Sequence, residues 1–241
     1  MKVVKADWEL RNLGVITYEI TAEHSDSVDD IISALDECSD AEYTVVKVSS
    51  DNSDISRYVS KNGFEFIETA MDLHLKISDY IDNPRFKPVT DKCSYSEMEE
   101  DDLIVLFEQI RSGIFNTDRI YLDEHFNHSM ASERYINWIK DLIKAGNPAF
   151  KVLFNNEVVG FFIHKKIKEH VYDGILAGAY KGFEGSGMGY LVQWAGCQNV
   201  IDLSGKNYLG HVSMTNIGAL KMLLSMGFTV SSVKYVYVRH S

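Results

Sequence analysis

Proline and long apolar runs are both scarce in this chain of 241 residues. Its three prolines leave most of the sequence free to form helices and sheets. No run of about eighteen consecutive apolar residues occurs, which is the length that a membrane-spanning helix needs. The opening stretch MKVVKADWEL is charged and no apolar run follows it, so the sequence predicts neither a signal peptide nor a membrane anchor.

Cysteine is equally sparse, and one sign of charge dominates. Three cysteines at wide spacing predict neither a disulfide framework nor a zinc site, so we expect no bound metal and a reducing, cytoplasmic location. The chain has 24 basic and 35 acidic residues, a net charge of −11, which repels nucleic acids and acidic membranes. We therefore expect neither as a partner. The 45% of apolar residues is otherwise typical of a folded globular protein.

The acidic residues are unevenly distributed, which predicts two domains. Residues 1–90 contain 9 basic and 18 acidic side chains, whereas the remainder is nearly balanced. Pro84 and Pro88 lie in the polar stretch DNPRFKPVTDKCSYSE, where they oppose regular pairing. We place the domain boundary there, with one domain over residues 1–90 and a second over residues 91–241.

Hydrophobic periodicity predicts strands and helices in both domains. In the first domain, strands are expected over residues 14–22, 43–48 and 64–77, the last of them long, and helices over residues 27–38 and 53–61. In the second, helices are expected over residues 101–112, 132–145, 187–203 and 216–225. Strands are expected over residues 150–154, 158–165, 169–179, 208–214 and 229–238. Both domains end with an amphipathic helix, a Gly-Phe pair and a long strand, so the first is interpreted as a degenerate copy of the second.

Glycines cluster directly before one predicted helix, in the stretch KGFEGSGMGYLVQWAG. Gly182, Gly185, Gly187 and Gly189 follow a strand and open the helix, so they would expose several backbone N–H groups at its positive end. Such an arrangement binds phosphate groups. The stretch lacks the Gly-Lys-Ser/Thr ending of a P-loop, and a dinucleotide fingerprint belongs to an early parallel βαβ unit. A flexible loop tip without a ligand is the alternative interpretation.

The same stretch resembles the pyrophosphate loop of the GNAT superfamily of N-acetyltransferases, which reads Gln/Arg-x-x-Gly-x-Gly/Ala. Residues 184–189 match it except at the first position, where the chain has Glu184. Four residues match the superfamily's closing helix: Asn216, Ala219, Gly227 and Phe228. The resemblance covers roughly residues 95–240. It implies an α/β (α+β) fold with a central mixed, mostly antiparallel sheet flanked by helices, preceded by a smaller, degenerate amino-terminal domain.

The resemblance further implies coenzyme A as the cofactor, carried as acetyl-CoA or another short acyl-CoA. Its pyrophosphate would contact the glycine loop, and its pantetheine arm would follow the preceding strand, whose free N–H groups would also bind the thioester carbonyl. The cofactor-binding residues expected on this basis are Leu176, Ala177, Gly178, Ala179, Gly185, Ser186, Gly187, Met188, Gly189 and Asn216.

A narrower resemblance concerns the segment FNTDRIYLDEHFNHSMASERYINWIKDL, which is similar to the acceptor-binding segment of TDP-amino-sugar N-acyltransferases. It implies a nucleotide-sugar substrate for surface polysaccharide synthesis, bound by Phe115, Asp118, Arg119, Tyr121 and Trp138. A guanidinium such as that of Arg119 suits bidentate contact with a diphosphate, and a surface ion pair explains it equally well. A homodimer is compatible with this resemblance.

The catalytic groups are less clearly marked in the sequence. Acyl transfer to an amine needs a base, for which His211 and Asp173 are the candidates, although a strand histidine is often only a core residue. Leu223 replaces the superfamily's proton-donating tyrosine. We favour N-acylation of a TDP-linked amino-dideoxy sugar. N-acylation of a peptide N-terminus, polyamine or aminoglycoside stays open, and so does coenzyme A binding without catalysis.

Overall fold

The computed structural model describes residues 1–183 and 185–241. The strands found in this part are β1 (Lys2–Lys5), β2 (Thr17–Ala22), β3 (Tyr43–Ser49), β4 (Glu65–Lys76), β5 (Cys93–Glu97), β6 (Ala149–Phe154), β7 (Glu157–Lys168), β8 (Val171–Ala179), β9 (Asn207–Ser213) and β10 (Thr229–His240). The helices are α1 (Asp7–Leu13), α2 (Val28–Glu37), α3 (Ser53–Lys61), α4 (Lys87–Thr90), α5 (Glu100–Arg111), α6 (Arg119–Leu122), α7 (His128–Lys144), α8 (Met188–Asp202) and α9 (Ile217–Ser225). Among these described helices, none combines the length and the apolar character that crossing a membrane requires.

All of the strands join one sheet in the order β1-β2-β3-β10-β4-β9-β8-β7-β6-β5. Neighbouring strands are antiparallel except in two pairs, β2 with β3 and β8 with β9, which are parallel. Each parallel pair is connected through a helix, α2 in the first and α8 in the second, as a parallel crossover requires. The expected mixed, mostly antiparallel sheet flanked by helices is therefore confirmed.

The two halves of the chain exchange strands within this sheet. β10, the last strand, lies between β3 and β4, and β4 lies between β10 and β9. The halves have the same element order, β2-α2-β3-α3-β4 in one and β8-α8-β9-α9-β10 in the other. The internal similarity in the sequence reflects this repeat, and each half is completed by a strand of the other. The domain boundary near residue 90 stays a prediction, because the sheet continues across it.

Helix α8 packs closely on β7 because a glycine faces it. A Cβ atom on Gly160 of β7 would lie 2.6 Å from Cγ2 of Val192 on α8, so a larger residue would push the helix away. Leu191 and Ala195 of α8 share a buried core with Phe162 of β7. This packing fixes the N-terminus of α8, and with it the glycine cluster, relative to the sheet.

The stretch around Pro84 and Pro88 is more regular than the sequence predicts. A 3₁₀ turn covers Pro84–Phe86 and α4 follows it, and each has its proline within the first two positions, where no N–H is needed. Next, the polar strand β5 (Cys93–Glu97) forms one edge of the sheet. An edge strand needs little apolar pattern, which explains why periodicity did not reveal it.

Candidate active site

The two halves differ at the parallel strand pair that each contains. In the first half, β2 and β3 pair along their length, from Thr17 with Tyr43 to Ala22 with Val48. In the second, the ladder between β8 and β9 in the described chain ends after Asp173. β8 nevertheless continues to Ala179 alongside β7. The two strands therefore separate, and the end of β8 borders an opening in the sheet.

The glycine loop leads from this opening into α8. Gly182, Gly185 and Gly187 have φ angles of 95°, 72° and 87°, a backbone region that side chains other than glycine rarely adopt. Gly187 is the N-cap of α8, and the first turn of that helix carries neither a capping side chain nor an acidic residue. The helix therefore offers its positive dipole end to an anion, and the N–H of Met188 in its first turn is held only by a long hydrogen bond of 3.4 Å to Oγ of Ser186. Glu184 lies outside the described residues.

Two adjoining cavities meet at the separation of β8 and β9. A cleft of about 600 Å³ is lined by the loop glycines, the end of β8 and α9, and a larger cavity of about 870 Å³ extends over both halves of the sheet. The residues that line both are Phe115, Ala177, Gln193, Asn216 and Ala219. A shared wall of this kind can bring two substrates into contact.

Most of the expected cofactor residues lie around the smaller cleft. Those among its lining are Ala177, Gly178, Ala179, Gly185, Gly187, Gly189 and Asn216, whereas Leu176 lines the larger cavity. Ser186 and Met188 alternate with the loop glycines. Oδ1 of Asn216 accepts a hydrogen bond of 3.2 Å from the N–H of Ala219, so this residue also caps α9. The buried Leu223 of α9 lines the larger cavity.

His211 lies on β9 between two carboxylates. Its Nδ1 is 2.8 Å from Oδ1 of Asp72, and its Nε2 is 2.8 Å from Oδ1 of Asp173. The hydrogen bond with Asp173 and that with Asp72 raise the pKa of His211 to about 9. The hydrogen bond from His211, with another from Ser232, lowers the pKa of Asp72. The half-exposed ring therefore holds two protons at neutral pH, and a base role requires it to lose one.

Arg119 is buried among carboxylates. Its Nη2 is 2.5 Å from Oε1 of Glu19 and 3.1 Å from Oε1 of Glu9. Glu9 also contacts Arg134 at 2.8 Å, and Glu19 contacts Lys47 at 2.8 Å. Although burial raises it, Arg119 and Lys47 together lower the pKa of Glu19 to about 2. The guanidinium borders the larger cavity, but its charge is already neutralised by the protein.

The other expected acceptor residues divide between the cavity and its surroundings. Phe115 and Trp138 line the larger cavity, as does Asp118. Oδ1 of Asp118 caps α6 by accepting a hydrogen bond of 2.8 Å from the N–H of Ile120. The ring of Tyr121 stacks on His128 at 3.9 Å, and this tyrosine is not among the described lining residues.

Sequence reasoning missed three polar residues of the site, namely Glu68, Asp72 and Gln193. Glu68 and Asp72 belong to β4, a strand of the first half, and only the strand exchange brings them beside β9 and β10. Burial raises the pKa of Glu68, and this carboxylate makes no ion pair among the described residues. Oδ2 of Asp118 is likewise buried without a hydrogen-bond partner. Among the described residues of the cavity, Glu68 and Asp118 therefore form no ion pair, and Arg119 acts on both carboxylates only from a distance.

Comparison with known proteins finds similarity in structure. No protein-family model and no curated protein matches the sequence. A GCN5-related N-acetyltransferase from Sphaerobacter thermophilus superimposes with a TM-score of 0.59 at 11% identity, over 88% of this chain and 65% of that one. A GCN5-related N-acetyltransferase from Kribbella flavida superimposes with a TM-score of 0.58 at 10% identity, over 93% of this chain and 81% of that one. A tandem GNAT protein from the clavulanic acid biosynthesis pathway superimposes with a TM-score of 0.56 at 9% identity, over 86% of this chain and 66% of that one.

These similarities concern the path of the backbone. The chain spans 65% of the length of the Sphaerobacter thermophilus protein, so part of that protein has no counterpart here. In this chain the superimposed backbone forms a mixed sheet flanked by helices. The chain thus has the fold of the GCN5-related N-acetyltransferases, as the glycine loop and the closing helix predicted.

Proposed function

We propose that this protein is a cytoplasmic acyl-CoA-dependent N-acyltransferase that transfers an acetyl or short hydroxyacyl group directly to an amine. The observation that carries the proposal is the separation of β8 from β9 beside the glycine loop. It opens a cleft for the cofactor onto a cavity for the acceptor. The fully paired strands β2 and β3 leave no such opening in the first half.

Coenzyme A would bind with its pyrophosphate at the N-terminus of α8. The amides there belong to Gly185, Ser186, Gly187, Met188 and Gly189, and those of Ser186 and Met188 would exchange long hydrogen bonds of 3.3 Å and 3.4 Å for the phosphate. A hydrogen bond to a charged group contributes about 1.5–3 kcal/mol, so about three or four of them supply most of the roughly 8 kcal/mol that micromolar affinity requires. The pantetheine arm would follow Leu176, Ala177, Gly178 and Ala179 along the open edge of β8, with Asn216 opposite.

The acyl transfer requires a neutral amine and a polarised carbonyl group. The amine nitrogen attacks the thioester carbonyl carbon, the new C–N bond forms, and the C–S bond breaks with release of the thiolate. Backbone N–H groups at the open edge of β8 would bind the carbonyl oxygen. A thiolate with a pKa near 8.5 can take its proton from water, so the absence of a tyrosine at Leu223 is tolerable. Leucine is smaller than tyrosine, so the side chain at position 223 leaves room for an acyl group longer than acetyl.

In this proposal Asp173 and His211 receive the proton of the amine, and His211 is the one that lines the larger cavity. Because the pKa of His211 is raised to about 9, only the small deprotonated fraction can act as a base at neutral pH. Asp173 holds the same ring and can act through a water molecule. The proposal therefore expects a rate that rises with pH towards about 9.

A TDP-linked amino-dideoxy sugar, as in surface polysaccharide synthesis, is the first acceptor that we propose. Phe115 and Trp138 supply aromatic surface in the larger cavity, whose volume of about 870 Å³ is within the range of small-molecule sites. Since Arg119 is buried and bound to Glu9 and Glu19, the diphosphate would instead meet Arg11, which lines the same cavity and whose ion pair with Asp141 is half-exposed to water.

A non-nucleotide amine with a second positive charge, such as a polyamine or an aminoglycoside, is the second acceptor. It is favoured by two carboxylates of the described cavity, Glu68 and Asp118, which form no direct ion pair and of which Asp118 has a buried oxygen without a hydrogen-bond partner. A second ammonium group would neutralise them, whereas a diphosphate would be repelled. Glu68→Gln should then raise KM for the diamine about tenfold and leave KM for acetyl-CoA unchanged.

Thiol release measured with a panel of acyl-CoAs and amines tests both proposals. The acyl-CoAs are acetyl-CoA and short hydroxyacyl-CoAs, and the amines are TDP-amino sugars, polyamines, aminoglycosides and peptide N-termini. Turnover with a TDP-amino sugar supports the first acceptor, and turnover with only the other amines supports the second. Tight acyl-CoA binding without turnover of any amine would contradict catalysis and favour a coenzyme A-binding regulator.

A further inference from the structure

Asp123, His125 and His240 form a compact cluster away from both cavities. Asp123 directly follows α6, His125 lies two residues later, and His240 is the last residue of β10. Oδ1 of Asp123 is 3.1 Å from Nδ1 of His125, and its Oδ2 is 2.9 Å from Nε2 of His240. One donor atom from each of the three residues can be taken so that all three atoms lie within 4.8 Å of one another.

Aromatic packing holds the cluster in place. The rings of His125 and His240 stack at 3.9 Å, and Tyr43 lies 4.7 Å from His240 on the buried side. Phe126 packs edge-on against Tyr43 at 5.1 Å. The side chain of Asp123 is 3% exposed, whereas that of His125 is 60% exposed. The cluster is therefore anchored on its inner side and open to water at His125. The exposed ring of His125 would have to turn out of the stack on binding, because a metal ion lies in the plane of each imidazole that binds it.

The three donor atoms suit a divalent transition metal. Imidazole nitrogen is a preferred ligand of Zn²⁺, Ni²⁺ and Cu²⁺, and a carboxylate contributes negative charge. Bonds of about 2.0–2.2 Å at tetrahedral angles place neighbouring ligands of Zn²⁺ about 3.3 Å apart. In the cluster the two imidazole nitrogens lie 3.1 Å and 2.9 Å from different oxygens of Asp123, so the carboxylate would turn one oxygen towards both imidazoles to bind the ion. A water molecule on the exposed side would supply the fourth ligand.

We propose that Asp123, His125 and His240 bind one Zn²⁺ ion. The sequence predicts no metal site, because residues 123–125 and 240 are far apart in the chain and become neighbours only when β10 enters the sheet beside β3. The ion would join the end of β10 to the segment between α6 and α7. Since α6 begins with Arg119, which borders the larger cavity, the ion would hold one wall of that cavity. The proposal of a Zn²⁺ site does not rest on the proposed acyl transfer.

The competing explanation is a pair of simple hydrogen bonds from two imidazoles to one carboxylate. His24 and Asp51 provide the matched comparison, because Nδ1 of His24 is 3.2 Å from Oδ2 of Asp51 without a second histidine in the pair. A single exposed pair of this kind should bind Zn²⁺ weakly. The difference between the two sites separates metal binding from hydrogen bonding.

Titration calorimetry of the full chain with ZnCl₂ tests the proposal. The protein carries no histidine tag and is first treated with a chelator. We expect one saturable site per chain, and we expect MgCl₂ not to compete, because Mg²⁺ prefers oxygen ligands. Asp123→Asn, His125→Ala and His240→Ala should each weaken Zn²⁺ binding about 100-fold or more, a loss at least as large as that from changing a residue behind a metal ligand. His24→Ala should leave the affinity unchanged.

Two further measurements keep the test decisive. His125 is mostly exposed, so His125→Ala should keep the fold, as shown by circular dichroism, even where His240→Ala does not. A Co²⁺-substituted protein should show the visible absorption of a four-coordinate site, and His125→Ala should remove it. No saturable Zn²⁺ binding, or binding that His125→Ala leaves intact, would overturn the proposal.

Discussion

Asp72 and His211 lie directly opposite each other in the antiparallel pair of β4 and β9, and Oδ1 of Asp72 is 2.8 Å from Nδ1 of His211. The two residues come from different halves of the chain. Asp173, on the other side of β9, completes the set at 2.8 Å from Nε2. The charge state of the histidine in the second half is therefore set partly by a carboxylate from the first.

Asp72→Asn tests this relationship. Loss of one carboxylate removes part of the stabilisation of the imidazolium, so the pKa of His211 should fall from about 9 by one or more units. NMR titration of the histidine ring protons measures this shift, and the exposed His24 serves as an internal reference. If the proposed base role is correct, the pH dependence of kcat/KM should move in the same direction. An unchanged pKa of His211 would show that Asp72 does not control it.

The pH dependence of stability gives a second test. The pKa of His211 is raised from 6.5 to about 9 in the folded protein, so its contribution is complete below pH 6.5 and is lost as the pH rises through about 9. The free energy of unfolding should therefore fall over this interval. His211→Gln should flatten that decline, as measured by urea denaturation at several pH values. A decline of the same size in the variant would assign it to other groups.

Gly187→Asp tests the site at the N-terminus of α8. The new carboxylate would occupy the anion site and repel the cofactor's phosphates, so Kd for acetyl-CoA should rise at least tenfold. The matched control is Gly146→Asp, because Gly146 also has a positive φ angle and also has open space at the position of a Cβ atom. It carries the same backbone strain outside both cavities. Equal affinity of the two variants for acetyl-CoA would remove the basis of the proposed cofactor site.

Sequence patterns were sufficient to predict the glycine loop before α8. Glycines with positive φ angles, such as Gly185 and Gly187, are local requirements, so the motif was visible without knowledge of the sheet. The turn between β6 and β7 is equally local, because Asn155 and Asn156 have φ angles of 50° and 67°, which asparagine tolerates better than most residues. These features depend on neighbouring residues only.

The acceptor side of the site was much harder to predict, because it depends on contacts between distant strands. The role of Asp72 follows from the position of β4 beside β9, and no pattern within β4 indicates it. Arg119 was visible as a charged residue, but its partner Glu9 is 110 positions away. Tyr121 stacks on His128 and is not among the described lining residues of the cavity. The sequence could not predict this, because a helix as short as α6 has no periodicity that shows which way its side chains point.

Arg119→Met should be much more destabilising than Arg11→Met. Arg119 is 8% exposed, and its removal leaves Glu9 and Glu19 with a buried negative charge that Arg134 and Lys47 only partly offset. A loss of about 3 kcal/mol in the free energy of unfolding is expected. The exposed pair of Arg11 with Asp141, at 2.7 Å, should contribute less than about 1 kcal/mol. Urea denaturation compares the two, and equal losses would contradict the buried network.

Separate production of residues 1–90 and residues 91–241 tests the strand exchange. β10 pairs with β3 from Lys234 with Ser49 to His240 with Tyr43, and it pairs with β4 on its other side. Without β10 and β9, residues 1–90 would leave β3 unpaired on one side and β4 unpaired on both sides, with an incomplete core. We therefore expect this fragment to be unfolded by circular dichroism and to lack dispersed amide signals in NMR spectra.

Mixing the two fragments should restore the fold, because the break follows α4 and leaves every strand intact. β10 and β4 could then enter the sheet as they do in the whole chain, and the fragments should elute together in gel filtration. A third fragment, residues 91–228, lacks β10 and should not rescue residues 1–90. Independent folding of residues 1–90 would show that the first half does not depend on the strand it receives, and the boundary near residue 90 would then separate two autonomous domains.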